Sequence, residues 1–208
     1  MKWTLVALLV YAVGAHDDFN DFNQTMREEI VVIARLRPFH RIASASPQKH
    51  FYHYNWSYFN KYLKNGYQKE DDIGKVLPLA IYKAYKEQID KTCPDLVYFN
   101  VLLDTQGLQP LYHDQFFWQE SWGALDYKKD GSGFLATKKK GCCRADVPVY
   151  LVEGAAGVRD HFYTTDKEEY DRLVAENKSY NKPQGIAFYV WKCDGVYARC
   201  NKFIWQHN

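Results

Sequence analysis

The sequence predicts a mainly β fold with short helices, assembled from three related units of about 50 residues. Two observations carry that prediction. A pattern recurs 111 residues apart: His50-Phe51-Tyr52, Asn55, Phe59, Tyr62, Leu63 and Gly74 are matched by His161-Phe162-Tyr163, Asp166, Tyr170, Leu173, Val174 and Gly185, with a degraded copy between. Phe39-His40-Arg41 and Tyr150-Leu151-Val152 keep the same offset ahead of each block. Aromatic residues make up 17% of the chain, including 17 Tyr and 6 Trp, and favour runs that read as strands. A β-trefoil-like, closed pseudo-threefold array has this repeat size and removes exposed sheet edges. Another small closed β array is the alternative.

Taken in order, residues 1–15 read as a signal peptide, with Lys2, a short apolar run from Trp3 to Val13 and small residues at Val13-Gly14-Ala15. The run is shorter than the roughly 20 apolar residues that a membrane span needs. Residues 16–36 are a lead-in in which Ile30-Val31-Val32-Ile33, β-branched, suggests a buried strand more than a helix. The three-unit domain is expected over 37–192 and a short tail over 193–208. In the first unit Asn55 caps a helix with Phe59, Tyr62 and Leu63 on its face, and Gly66 stops it. A glycan on Asn55 would compete with that cap for the side-chain amide.

The middle unit has Val97-Tyr98-Phe99 and Leu111-Tyr112-His113 as its first strands, Trp118 and Trp122 in a helical stretch, and Gly133-Phe134-Leu135 at its close. The last unit is the clearest. Val147 to Val152 alternates as a strand, and Gly154-Ala155-Ala156-Gly157 makes a turn. His161 to Thr165 is a second strand. Asp166 with Glu169 forms a capping box, and Tyr170, Leu173 and Val174 supply the helix face. Gly185 to Trp191 closes the unit as a strand.

Asp160-His161-Phe162-Tyr163-Thr164-Thr165, followed by Gly185-Ile186-Ala187-Phe188-Tyr189-Val190, resembles a repeat family of extracellular bacterial, fungal and animal proteins catalogued as a domain of unknown function. Val147-Pro148-Val149-Tyr150 resembles the family's usual opening, with Leu151 in place of a basic residue. The first unit keeps only the His-Phe-Tyr core. The resemblance implies an extracellular accessory role in binding, with no activity to carry over.

The remaining chemistry is weighed against plainer roles. Cys193 and Cys200 bracket Asp194-Gly195 and suit a disulfide across a small hairpin. Cys93 then pairs with Cys142 or Cys143, Cys142 being the assigned partner, and the odd cysteine is available for an interchain bridge. Asn23, Asn55 and Asn177 open three glycosylation sequons. Net charge is +2, or +1 once Lys2 is removed, which argues against a nucleic-acid partner. The cysteine spacing resembles no standard zinc site. His50 and His53 alternate across a strand, and Asp126-Asp130-Gly131 lacks the oxygens of a calcium loop, so no metal or cofactor is expected. Asp160 and His161, adjacent in a strand, face opposite ways, and no catalytic set is visible.

These readings converge on a secreted, non-enzymatic binding module for an extracellular glycan or protein. Lectin-like recognition of carbohydrate leads, with Trp118, Trp122, Tyr127 and Asp130 as the ligand residues. A secreted protein-binding effector or inhibitor is the second class, and a hydrolase using His161 the third.

Overall fold

A computed structural model describes residues 32–45, 48–104, 115–118, 127–155, 157–158 and 160–193. It is mainly β, with antiparallel sheets and short helices. No helix among the described residues is long and apolar enough to cross a membrane. The chain enters through Val32 and Ile33, which are helical rather than extended. The spacing of Val32 and Leu36 explains this correction: the turn bonds Arg35 N to Val32 O and buries both side chains on one face.

In the first unit β1 (Arg37–Pro38) leads into a hairpin of β2 (His40–Ala45) and β3 (Gln48–His53). A 3₁₀ turn (Trp56–Phe59) and α1 (Asn60–Leu63) follow, then β4 (Gln68–Lys69) and β5 (Lys75–Pro78). Gly66 has φ +87°, as its stop position requires. The cap on the 3₁₀ turn is Asn55, whose Oδ1 accepts from Ser57 N at 3.1 Å. The cap uses the oxygen while a glycan would use the nitrogen, so the two do not compete for one atom.

Two helices absent from the expected unit plan, α2 (Leu79–Ala84) and α3 (Lys86–Thr92), precede β6 (Leu96–Asp104). The middle unit continues with β7 (Gln115–Trp118) and β8 (Tyr127–Thr137), so Trp118 stands at a strand end and not in a helix. β7 and β8 both pair with β6. The last unit is β9 (Val147–Gly154), β10 (His161–Thr164), α4 (Lys167–Glu176) and β11 (Tyr180–Val190), the expected order. β11 starts earlier than expected and carries Pro183 beside a bulge, where a missing ladder donor is tolerated.

Pairing register corrects the repeat offset. Arg41 lies opposite Tyr52, whereas Leu151 lies opposite Tyr163. The opening strands therefore correspond at a spacing of 110, aligning Pro38-Phe39-His40-Arg41 with Pro148-Val149-Tyr150-Leu151. Arg41 thus aligns with Leu151.

The closing strands meet in pairs. Leu77 of β5 lies opposite Leu135 of β8, and Tyr189 of β11 opposite Thr137 of β8. Lys75 N bonds Trp191 O at 2.9 Å and Trp191 N bonds Lys75 O at 3.2 Å, joining β5 to the end of β11. Gly74, at φ +124°, permits this approach, since a Cβ there would sit 2.4 Å from Val190 Cγ2.

The main core draws on all three units: Phe39 and Tyr52, then Phe99, Phe117 and Phe134, then Val149, Tyr163 and Phe188. Burying each such side chain is worth about 1.5–3 kcal/mol relative to leaving it exposed. The Tyr52, Phe117 and Tyr163 rings form a triangle with centroids 5.7, 4.5 and 5.4 Å apart. Two of the three carry hydroxyls that continue the contact. Tyr52 OH accepts from Tyr163 N at 2.8 Å, and Tyr163 OH accepts from Phe117 N at 3.2 Å.

Smaller clusters sit under the helices. Ile42, Phe51, Phe59, Tyr62 and Tyr67 pack beneath α1. The predicted α4 face of Tyr170, Leu173 and Val174 rests on Val152, Phe162 and Tyr180.

Candidate functional site

The largest polar constellation on the described residues is buried between the first and last units. Antiparallel pairing of β2 and β3 sends Arg41 and His50 towards the last unit. Asp160 precedes β10, Thr164 ends it, Glu169 lies in the first turn of α4, and Tyr180 opens β11. Glu70, just after β4, completes the set.

Asp160 accepts from His50 twice, from the backbone N at 3.0 Å and from ring Nδ1 at 2.6 Å. Tyr180 OH donates to the same carboxylate. Arg41 reaches Glu169 through both terminal nitrogens, at 3.1 and 3.3 Å, and gives a further bond to Tyr163 O at 3.3 Å. Arg41 Nε is 2.7 Å from Glu70 Oε2 but off the hydrogen-bonding axis, so that contact is ionic. Thr164 Oγ1 donates to Glu169 at 2.6 Å. The Phe162 ring lies 4.9 Å beneath the Arg41 guanidinium and meets His50 edge-on at 4.7 Å.

The electrostatics follow from burial. Desolvation would push the Arg41 guanidinium down, but the groups around it, led by Glu70 and including Glu169, more than offset it, and its pKa is raised. Burial, reinforced by the Asp160 charge, drives the Tyr180 phenol far up, so it stays protonated and donates. The Asp160 side chain is 0% exposed and that of His50 6%. His50 Nε2 faces Glu70 at 3.8 Å. Chemically, this arrangement locks two units together.

Several sequence-derived assignments are placed differently. Asp160, which the sequence left without a partner, bonds His50 on β3. The capping box does not form. Asp166 Oδ1 caps α4 through Glu168 N and Glu169 N, but Thr164 Oγ1 takes the Asp166 N–H, and Glu169 turns to Arg41. Cys93 pairs with Cys143, its Cα 5.8 Å away, and Cys142 is the free cysteine, which corrects the Cys93–Cys142 assignment. Cys143 sits at φ +47° with its carbonyl held by Trp191 Nε1 at 2.6 Å, and it packs in the core with Cys93. Cys193 is disulfide-bonded; Cys200 lies outside the described residues.

Of the proposed ligand residues, Trp118 is opposite Asn100 on one side of β6. Tyr127 is opposite Asp104 on the other. Four residues of strand, about 13 Å, separate those levels. Asp130 lies on β8 within the bulged stretch, and Trp122 lies outside the described residues. Asn55 and Asn177 are exposed, while Asn23 lies outside the described residues.

Asp160, Thr164, Glu169 and Tyr180 fall within a recognisable domain. Residues 109–203 match the model of a domain of unknown function, DUF5648. Arg41 and His50 lie upstream of that match, so the buried lock joins the matched segment to the unit before it. No curated protein and no solved structure matches the chain.

The sequence reading missed the lock because its two halves lie 110 residues apart. The available signal was the opening Pro38-Phe39-His40-Arg41, which parallels Pro148-Val149-Tyr150-Leu151 with a cation in place of Leu151.

Proposed function

We propose that this chain is a secreted, non-enzymatic binding module that recognises an extracellular carbohydrate. The observation that carries this reading is the engagement of the repeat motif's polar groups in internal bonds: His50 and Tyr180 on Asp160, Arg41 and Thr164 on Glu169. Residues so placed serve as scaffold, which leaves recognition to the surfaces and segments between units. The meeting of aromatic residues from all three units, with closing strands paired among themselves, supports a closed trefoil-like array. Signal-peptide removal, disulfides and glycans on Asn55 and Asn177 belong to the same extracellular reading.

The ligand side chains proposed are Trp118 and Trp122 with Tyr127 and Asp130, acting as more than one contact patch given the separation of Trp118 from Tyr127 across β6. Glycan-array binding by the secreted, deglycosylated protein tests this, with Trp118→Ala/Trp122→Ala alongside. Specific binding lost in the double variant is expected. A folded protein that binds no glycan sinks the carbohydrate reading. A protein-binding role is favoured by one separate observation, the partly exposed free thiol of Cys142, which could bridge to a second chain. Reducer-sensitive dimers that vanish in Cys142→Ser would point there.

A further inference from the structure

We propose that His53 is an acid-operated latch, which releases the 3₁₀ turn and α1 when the surroundings become acidic. His53 ends β3, directly opposite His40 in β2, and is 6% exposed. Its Nδ1 accepts the Asn55 N–H at 2.8 Å, a bond available only while that nitrogen keeps its lone pair. Asn55 in turn holds Ser57 N through Oδ1 and Tyr58 N through its carbonyl. The Tyr58 ring lies flat on the imidazole, 4.3 Å away at 8°, with Tyr54 at 4.6 Å and Phe59 edge-on at 6.3 Å. One neutral ring therefore anchors the start of the segment that carries Trp56 and the Asn55 sequon.

Protonation acts directly on one of these contacts, the bond that Nδ1 accepts from Asn55. The ionisable groups facing the ring are His40 from β2 and the phenols of Tyr54 and Tyr58. The Asp72 carboxylate bonds His40 Nδ1 at 2.6 Å instead, and Lys61 lies over Tyr58 at 5.4 Å. A charged His53 would lose its accepted bond and confront His40. Burial, with the His40 charge adding to it, pushes His53 from 6.5 down to about 4. A folded value below the unfolded one means that the opened form binds more protons between them. The latch is closed above pH 6.5, weakens as pH falls towards 4, and loses nothing further below that.

Hydrogen exchange of the full chain at pH 7 and pH 5, corrected for intrinsic rates, tests the latch. Protection of the Asn55, Ser57 and Tyr58 amides is expected to fall roughly 20-fold relative to β11 amides. His53→Phe keeps an aromatic ring and should abolish the pH-dependent fall. Equal protection at the two pH values, or the same fall in His53→Phe, overturns the proposal. Should that variant fail to fold, an NMR titration of the wild-type ring decides. An ordinary midpoint near 6.5 without movement of the Asn55 amide rejects the latch, and a depressed midpoint that tracks the amide supports it.

Discussion

Asp160 takes both the backbone N–H and the ring of His50, so one buried carboxylate fixes a strand and its side chain across 110 residues. Removing it leaves the His50 backbone N–H without its acceptor and reduces the buried imidazole and the Tyr180 hydroxyl to each other, 3.2 Å apart. Asp160→Ala is expected to cost about 3–5 kcal/mol in urea unfolding. His161→Ala should cost about 1 kcal/mol, since His161 is only half-buried. Equal losses would deny His50 its special place.

Arg41 and Glu169 form the second arm, with two parallel contacts at 3.1 and 3.3 Å. Lysine cannot reproduce that fork. A double-mutant cycle of Arg41→Lys and Glu169→Gln, read in urea so that ionic contacts are not screened, should give a coupling of about 1–3 kcal/mol. Strict additivity would mean that the pair contributes only packing.

The Tyr62 hydroxyl is buried and has no hydrogen-bonding partner among the described residues. An unmet hydroxyl costs about 1–3 kcal/mol. Tyr62→Phe should therefore leave the melting temperature unchanged or raise it. A clear drop would reveal a buried water bonded to that oxygen.

Cys142 and Cys143 are neighbours with opposite roles. Cys142→Ser should leave stability unchanged and remove the free thiol. Cys143→Ser opens the loop that Cys93–Cys143 closes over a separation of 50 residues and should cost about 2–4 kcal/mol. Peptide mapping without reduction identifies the bridge in each variant.

Asn177 ends α4 in the left-handed region, at φ +48°. Asn177→Gly should match or exceed wild-type stability, whereas Asn177→Ala should lose about 1 kcal/mol. Equal stability of the two variants would mean that the helix frays before this residue.

The parts of the fold legible in the sequence are those set by local rules. Asp166 caps α4, Gly66 turns the chain after α1, and alternation marks β9, because each depends on neighbours within a few residues. Val32 and Ile33 misled for the same reason: β-branching favours a strand, whereas both are helical, with Val32 packed beside Leu77 and Trp191. Trp118 misled because its strand is specified by pairing with Asn100, not by its own periodicity. Asp160 was legible only as turned away from its neighbour His161, and Glu169 looked like half of a local capping box. Their real partners, His50 and Arg41, are fixed by topology, which spacing along the chain does not encode.

The lock between the units also sets a schedule for synthesis. A ribosome delivers Arg41 and His50 more than 100 residues before Glu169 and Asp160 emerge. Until then the first hairpin has only Glu70 to answer its cation and its imidazole. Residues 109–203 expressed alone meet the converse problem, holding two acids aimed at a unit that was never made. A fragment that begins upstream of Arg41 is therefore expected to resist urea better than residues 109–203 alone.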